Sequence, residues 1–188
     1  RVDLMNRDEW QQLERWLQLF DDALVEEYPE LLLTRTWIAH SRYDLARVHA
    51  LERRVTARLA DLRTCATPYQ GRYDQAALAA LEGETAILRT YLSYWSGDWA
   101  GVRRHCEVAL TQTPLALWSA RNVAIVFCGG AHQAMGELAQ AYAVFDAQIR
   151  LVGAYGATAQ QHLLIAKCHI YSIAGDLRGL AKTVAAAR

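Results

Sequence analysis

The feature that most constrains this chain is a glycine followed by an acid that returns at a fixed interval. The hexapeptides GDWAGV at Gly97, GELAQA at Gly136 and GDLRGL at Gly175 share it, and each is 39 residues from the next. Glycine can end a helix in the left-handed conformation, and an acid suits the positive end of the helix that follows. Each hexapeptide therefore predicts a tight turn between two helices.

Two further segments fit the same pattern with the glycine replaced, YDLARV at Tyr43 and DEWQQL at Asp8. The one long step between turns contains TCATPYQGRYD, residues 64–74, which has the small polar residues, proline and glycine of an exposed insertion loop. A period of this length with two helices in each period is typical of a helical solenoid, in which each helix pair covers the apolar face of its neighbour.

The rest of the composition favours helix throughout. Only three prolines occur, 53% of the residues are hydrophobic, and alternating apolar and polar runs are absent. We therefore expect an all-α fold with residues 1–188 in one helical-repeat domain, a fragment of a larger protein because the first predicted helix follows its turn as a second helix. The predicted helices run over Asp8–Phe20, Pro29–Ser41, Asp44–Arg63, Asp74–Ser96, Asp98–Gln112, Leu115–Met135, Glu137–Val152, Ala157–Ala174 and Asp176–Arg188.

Charge and hydropathy narrow the function classes. Twenty basic and twenty acidic residues balance, so the basic footprint of a nucleic-acid-binding surface is missing and we expect no direct contact with nucleic acid. No apolar run approaches the ~20 residues of a membrane span, and no signal-peptide pattern opens the sequence. The four cysteines form no C-x-x-C pair, which favours reduced thiols in a cytoplasmic protein.

The repeat resembles the tetratricopeptide repeat, whose second half reads glycine, acid, aromatic, spaced alanines and a final proline. Gly97, Asp98, Trp99, Ala109 and Pro114 match that order. The resemblance implies a tetratricopeptide-like right-handed superhelix of antiparallel helix pairs.

A second resemblance lies in LERWLQLFDDALVEEYPELLLTRTWIAHSRYDLARVHALERRV, residues 13–55. It is similar to the start of the sensor region in large ATP-dependent transcriptional activators of the LuxR type, such as those resembling the maltose-regulon activator. Trp16–Leu17, Pro29–Leu33 and Arg35–Trp37 fill the corresponding places. This resemblance implies a regulator with an NTPase module and a DNA-binding domain elsewhere, since the chain contains no Gly-x-x-x-x-Gly-Lys-Ser/Thr loop.

No arrangement of residues in the sequence predicts catalysis or a cofactor. Cys128 and His132 are one helical turn apart, but two ligands are too few for the four that zinc usually takes. Gly129 and Gly130 beside them indicate close helix contact instead. We therefore expect a protein that is not an enzyme and that holds no metal.

In tetratricopeptide-like arrays the first helix of each pair lines the concave face, and the phase of the turns predicts which side chains point inward. Their aromatic rings and hydrogen-bonding groups suit a sugar-like ligand, and would equally suit an extended peptide. The predicted ligand-binding residues are Trp37, His40, Glu84, Tyr91, Tyr94, Gln133, His162 and His169, with Glu30 and Ser172 as further inward candidates.

Two functions follow from this interpretation, and both stay open at this point. The first is the ligand-sensing arm of a transcriptional regulator that binds a small inducer or a partner domain, with self-association possible in the intact protein. The alternative is a protein interaction scaffold that holds an extended peptide. The aromatic residues could instead pack between repeats, in which case the site lies elsewhere.

Overall fold

A computed structural model describes residues 1–64 and 73–186, and all the regular structure in these ranges is helical. Residues 65–72, most of the predicted insertion loop, lie outside the described residues. The elements are α1 (Val2–Asn6), α2 (Trp10–Leu17), α3 (Asp22–Glu27), α4 (Pro29–Ser41), α5 (Leu45–Thr64), α6 (Gln75–Trp95), α7 (Trp99–Gln112), α8 (Trp118–Ala134), α9 (Leu138–Val152), a 3₁₀ turn (Gly153–Tyr155), α10 (Ala157–Ala174) and α11 (Leu177–Ala186).

The all-α prediction is confirmed, and the differences in the number of helices have a simple cause. The two added helices, α1 and α3, have five and six residues, too few to show a helical period in the sequence. The side chain of Asp21 begins α3 by accepting the amide of Leu24 at 2.7 Å, and Pro29 starts α4. The predicted first helix is shorter than expected, at Trp10–Leu17, and the helix expected from Leu115 begins at Trp118.

The five predicted turns share one backbone geometry. The turn residue is left-handed in every one, with φ of 76° at Gly97, 79° at Gly136 and 72° at Gly175. Asp8 and Tyr43, the replaced glycines, take φ of 56° and 57°. In all five, the next residue donates its amide to the carbonyl five residues earlier, at 2.8–3.1 Å, which is the helix-ending bond of the Schellman motif.

The acid after the turn begins the next helix in three of the five cases. The side chains of Asp44, Asp98 and Asp176 each accept the backbone amide three residues ahead, at 2.8–3.0 Å. One of the amides left without a partner in the first turn of the helix is satisfied in this way. Three of the five acids in the turn pattern are therefore helix caps.

Helices that follow each other in sequence pack together across these turns, and α8 also contacts both α6 and α10. Helices α8 and α9 approach each other closely at Gly129, where a Cβ would lie 2.3 Å from Cε2 of Phe145 in α9. Buried Arg121 of α8 donates to the carbonyls of Leu110 and Thr113, at 2.9 and 2.6 Å, and so holds the end of α7.

The core forms two adjoining clusters. The larger runs from Met5 in α1 to Cys128 in α8, and the smaller centres on Phe145, Leu163 and Ile170. Met5 is fully buried although α1 and α8 are far apart in sequence, and α1 contacts α8 directly. The N-terminal residues are therefore part of the main core, an arrangement that contact between successive pairs alone would not produce.

The described part of the chain contains no helix that is both long enough and apolar enough to cross a membrane.

The turn geometry predicts the effect of replacing Gly136. A Cβ at this position meets nothing within 4 Å, so Gly136→Ala introduces backbone strain without a clash. We expect the free energy of unfolding, measured in urea, to fall by about 1 kcal/mol. The reciprocal change, Tyr43→Gly, should relieve the same strain and leave stability unchanged or slightly higher. An unchanged urea midpoint for Gly136→Ala would contradict this prediction, because it would show that the left-handed conformation at this position does not affect the free energy of unfolding.

Candidate ligand-binding surface

Glu84 of α6 is the centre of the predicted site, and it is almost completely buried. Its carboxylate accepts hydrogen bonds from Arg1 Nη1 at 2.8 Å, Arg1 Nη2 at 2.7 Å and Trp37 Nε1 at 2.7 Å. Burial lowers the pKa of Arg1, but the charges and hydrogen bonds of Glu84, together with Glu30, outweigh it and raise that pKa. The guanidinium is thus held as a charged, bidentate partner of a buried carboxylate.

An aromatic row continues from Trp37 along the same face. His40 makes edge-on contacts with Trp37, at 5.1 Å between ring centroids, and with Tyr91, at 4.6 Å. Burial lowers the pKa of His40 to about 4, so its imidazole is neutral at pH 7. Within the described ranges, the buried hydroxyl of Tyr91 has no hydrogen-bond partner. Trp37 and Tyr91 therefore pack in the interior, which was the alternative left open by the sequence.

Tyr94 joins α6 to α8. Its ring lies 5.1 Å from Phe127 and 5.6 Å from Trp99, and it covers Gly130, where a Cβ would come within 2.9 Å of the tyrosine ring. The interpretation of this glycine as a small residue for close helix contact agrees with this geometry. Tyr94 is only partly buried, so one edge of its ring faces solvent.

The remaining predicted residues lie further along, on α8 and α10. Gln133 donates to the carbonyl of Ile170 at 3.2 Å, and so ties α8 to α10. His162 lies 3.5 Å from the Asp8 carboxylate, while His169 and the further candidate Ser172 are exposed. The other candidate, Glu30, accepts a hydrogen bond from the Tyr73 hydroxyl at 2.5 Å. The predicted set is therefore divided between a buried group around Glu84 and a polar group at the end of the array.

The N-terminal segment, residues 1–9, lies across the first helices of three pairs, α6, α8 and α10. The sequence did not predict this packing. Arg1 reaches Glu84 of α6, and Asn6 contacts the start of α8 by donating to the carbonyl of Ala116 at 2.8 Å and accepting the amide of Ser119 at 3.2 Å. Asp8 reaches His162 of α10. The sequence predicted the turn at Asp8 but took the helix before it to be absent from the chain, whereas α1 precedes this turn.

Several surface cavities among the described residues are large enough for a small ligand, and none was predicted. Those of about 600 and 570 Å³, both beside α2, have more polar linings, whereas two others are mainly apolar. One of about 400 Å³ lies between α2, α3 and α4 and adjoins the Glu84 cluster through Arg1. It is lined by Arg1, Trp16, Phe20, Leu24, Tyr28, Glu30 and Leu31. The other, of about 660 Å³, lies between α5, α6 and α7 and is lined by Leu45, Ala46, His49, Glu52, Arg89, Leu92, Ser93, Trp95, Ser96 and His105.

In the larger cavity, polar side chains of the lining already have hydrogen-bond partners. Arg89 donates to Glu52 at 2.7 Å and to Thr56 at 2.6 Å. Burial, followed by the charges of Arg104 and Arg89, lowers the pKa of His105. The smaller cavity combines three aromatic rings with an acid and a base. The sequence predicted aromatic rings with hydrogen-bonding groups for the ligand site, but on other residues. Among the described residues, no group of three or more His, Cys, Asp or Glu side chains could hold a metal ion.

The buried carboxylate predicts a large effect of Glu84→Gln. The substitution keeps the size of the side chain but leaves the Arg1 guanidinium without its counter-charge, so we expect the free energy of unfolding to fall by about 3 kcal/mol. Asp22→Asn is the matched control, because it removes the exposed partner of Arg35 and should cost less than about 1 kcal/mol. Equal losses for the two variants in urea unfolding would contradict the central role of Glu84.

Comparison with known proteins adds no relative, since no protein-family model, no curated protein and no solved structure matches the chain. Its function therefore has to be inferred from its own residues.

Proposed function

We propose that this chain is the ligand-sensing arm of a transcriptional regulator of the LuxR type, built as a tetratricopeptide-like right-handed superhelix of antiparallel helix pairs. It binds a small inducer or a partner domain and has no catalytic role. The observation that carries the proposal is the cavity between α2, α3 and α4, because it adjoins the Arg1–Glu84 pair that holds the N-terminal segment on the first helices.

The lining of this cavity fits a neutral, sugar-like ligand. Its volume of about 400 Å³ falls within the range of small-molecule sites. Trp16 and Phe20 contact each other edge-on, at 5.0 Å between ring centroids, and their faces can receive the apolar face of a sugar ring. Arg1 and Glu30 supply a donor and an acceptor for hydroxyl groups.

Arg1 couples ligand binding in the cavity to the packing of the N-terminal segment. The same guanidinium lines the cavity and pairs with Glu84, so a ligand that hydrogen-bonds Arg1 changes the balance of that pair. A ligand shifts a conformational equilibrium only through different affinities for its two states, and a shared Arg1 provides that difference. The N-terminal segment is then the element whose position responds to ligand.

The alternative, a scaffold that binds a peptide, is supported by one observation. The first helices already hold a helical segment of the chain itself, with Met5 buried and Asn6 hydrogen-bonded to α8. A face that accepts one helical segment has the shape and the polar groups to accept another.

A thermal-shift experiment with linear glucose oligosaccharides tests the proposal. At about 100 times Kd, a ligand that binds only the folded chain should raise the melting temperature by roughly 5–10 °C. Trp16→Ala should abolish the shift, whereas Trp95→Ala, which removes a partly exposed tryptophan from the other cavity, should leave it intact.

Three results would count against sugar sensing at this cavity. They are the absence of any shift across the oligosaccharides, equal loss of the shift in both variants, and binding of amphipathic helical peptides in place of sugars. The last of these would support the scaffold function.

A further inference from the structure

Two cysteines that the proposed function does not use meet between adjacent helix pairs. Cys106 of α7 and Cys128 of α8 are free thiols, and both are buried. The Cys106 sulfur lies 3.9 Å from the carbonyl of Ala124, one turn before Cys128 on the same face of α8. Each thiol is also the largest influence on the pKa of the other.

A histidine and a carboxylate extend this pair into a chain of four groups. His132 lies one turn beyond Cys128 on the same helix, and it lowers the pKa of the Cys128 thiol. Its Nδ1 lies 2.6 Å from Oε2 of Glu137, a contact that fixes the orientation of the ring. A nucleophile next to a base that a third group orients is the usual arrangement for activating a thiol.

The surrounding charges favour the thiolate of Cys128. The interaction with the Cys106 thiol is the largest cause of the lowered pKa of Cys128. Burial alone would raise this pKa, but His132 and Arg103 act with Cys106 to lower it to about 7. The same contact and burial raise the pKa of Cys106. The other charged groups nearby are Glu137, 3.9 Å from Arg103, and Arg121, which acts on Cys106. One thiol is thus poised to ionise and its neighbour to stay protonated.

We propose that Cys106 and Cys128 form a peroxide-sensitive thiol pair that closes a disulfide between α7 and α8. The Cys128 thiolate attacks one oxygen of hydrogen peroxide, so that an S–O bond forms and the O–O bond breaks. His132 takes the proton of the Cys128 thiol as the thiolate forms and passes it to the hydroxide that leaves, which becomes water. The Cys106 thiol then attacks the sulfenic acid and a second water leaves, so two thiols are oxidised while one peroxide is reduced to two waters.

The pair lies mostly below the surface. Cys128 is 6% exposed, and the His132 side chain is 10% exposed, whereas Glu137 at the turn is 35% exposed. Because α7 and α8 belong to different helix pairs, the bridge would fix the position of one pair relative to the next.

Peptide mapping after oxidation tests the proposal on the full chain. The reduced protein is treated with one equivalent of hydrogen peroxide, alkylated and digested. We expect the Cys106 and Cys128 peptides to be joined, while Cys168, which is partly exposed and lies on α10, stays alkylated. In Cys106→Ser the sulfenic acid has no partner, so a 1,3-diketone reagent should label Cys128. Cys168→Ser should leave the bridge unchanged.

His132→Gln should slow the reaction of Cys128 with peroxide about tenfold, because the thiolate fraction falls when the histidine is lost. His162→Gln, on α10, is the control and should leave the rate unchanged. Circular dichroism shows whether each variant is folded. If His132→Gln does not fold, the pH dependence of Cys128 alkylation in the unsubstituted chain replaces it, with an expected midpoint near 7.

Several results would overturn the proposal. They are oxidation of Cys168 while Cys128 stays reduced, a sulfenic acid on Cys128 that never forms the bridge, equal rates for the two histidine variants, or an alkylation midpoint near the ordinary thiol value of about 8.5.

Discussion

The structure depends on one buried carboxylate. Glu84 lies in the middle of α6, where a charge without partners would cost several kcal/mol, and its partners come from outside that helix. Trp37, on α4, and Arg1, in the N-terminal segment, both donate hydrogen bonds to the Glu84 carboxylate. Because each of these groups needs the others, the two helices and the first residues of the chain are energetically coupled. Asn6 and Asp8 extend the same segment to α8 and α10, so the coupling spans the array.

This arrangement changes how the inner face of the helix pairs can work. Sequence phasing alone describes it as an open lining for a ligand, whereas in the structure its central residues face one another and the N-terminal segment. Open space lies beside the cluster, in the cavity that Trp16 and Phe20 line. The Arg1 side chain belongs to both places, because it lines the cavity and pairs with Glu84. Under the proposed function, a ligand in the cavity would compete with Glu84 for Arg1.

The parts of the fold that local chemistry determines were predictable, and the parts that distant contacts determine were not. The turns at Asp8 and Tyr43 could be found without glycine, because an acid and then a large apolar residue follow each of them, as in the glycine turns. The phase of the turns also placed Trp37, Glu84 and Tyr91 on the correct helices. It could not indicate that Arg1, 83 residues away, would cover Glu84, since periodicity identifies a face and not its partner. The cysteine pair was missed for the same reason: Cys128 and His132 are neighbours in sequence, but Cys106 comes from another helix.

Amide hydrogen exchange in the N-terminal segment tests the central claim most directly. The amide of Met5 donates to the carbonyl of Arg1 at 3.1 Å, and that of Glu9 to the carbonyl of Leu4 at 2.9 Å. A helix of five residues has almost no stability alone, so these amides can be protected only by packing on the first helices. The account predicts that they exchange nearly as slowly as the amides of α6 around Glu84. Exchange at the rate of an unstructured peptide, with α6 still protected, would contradict it.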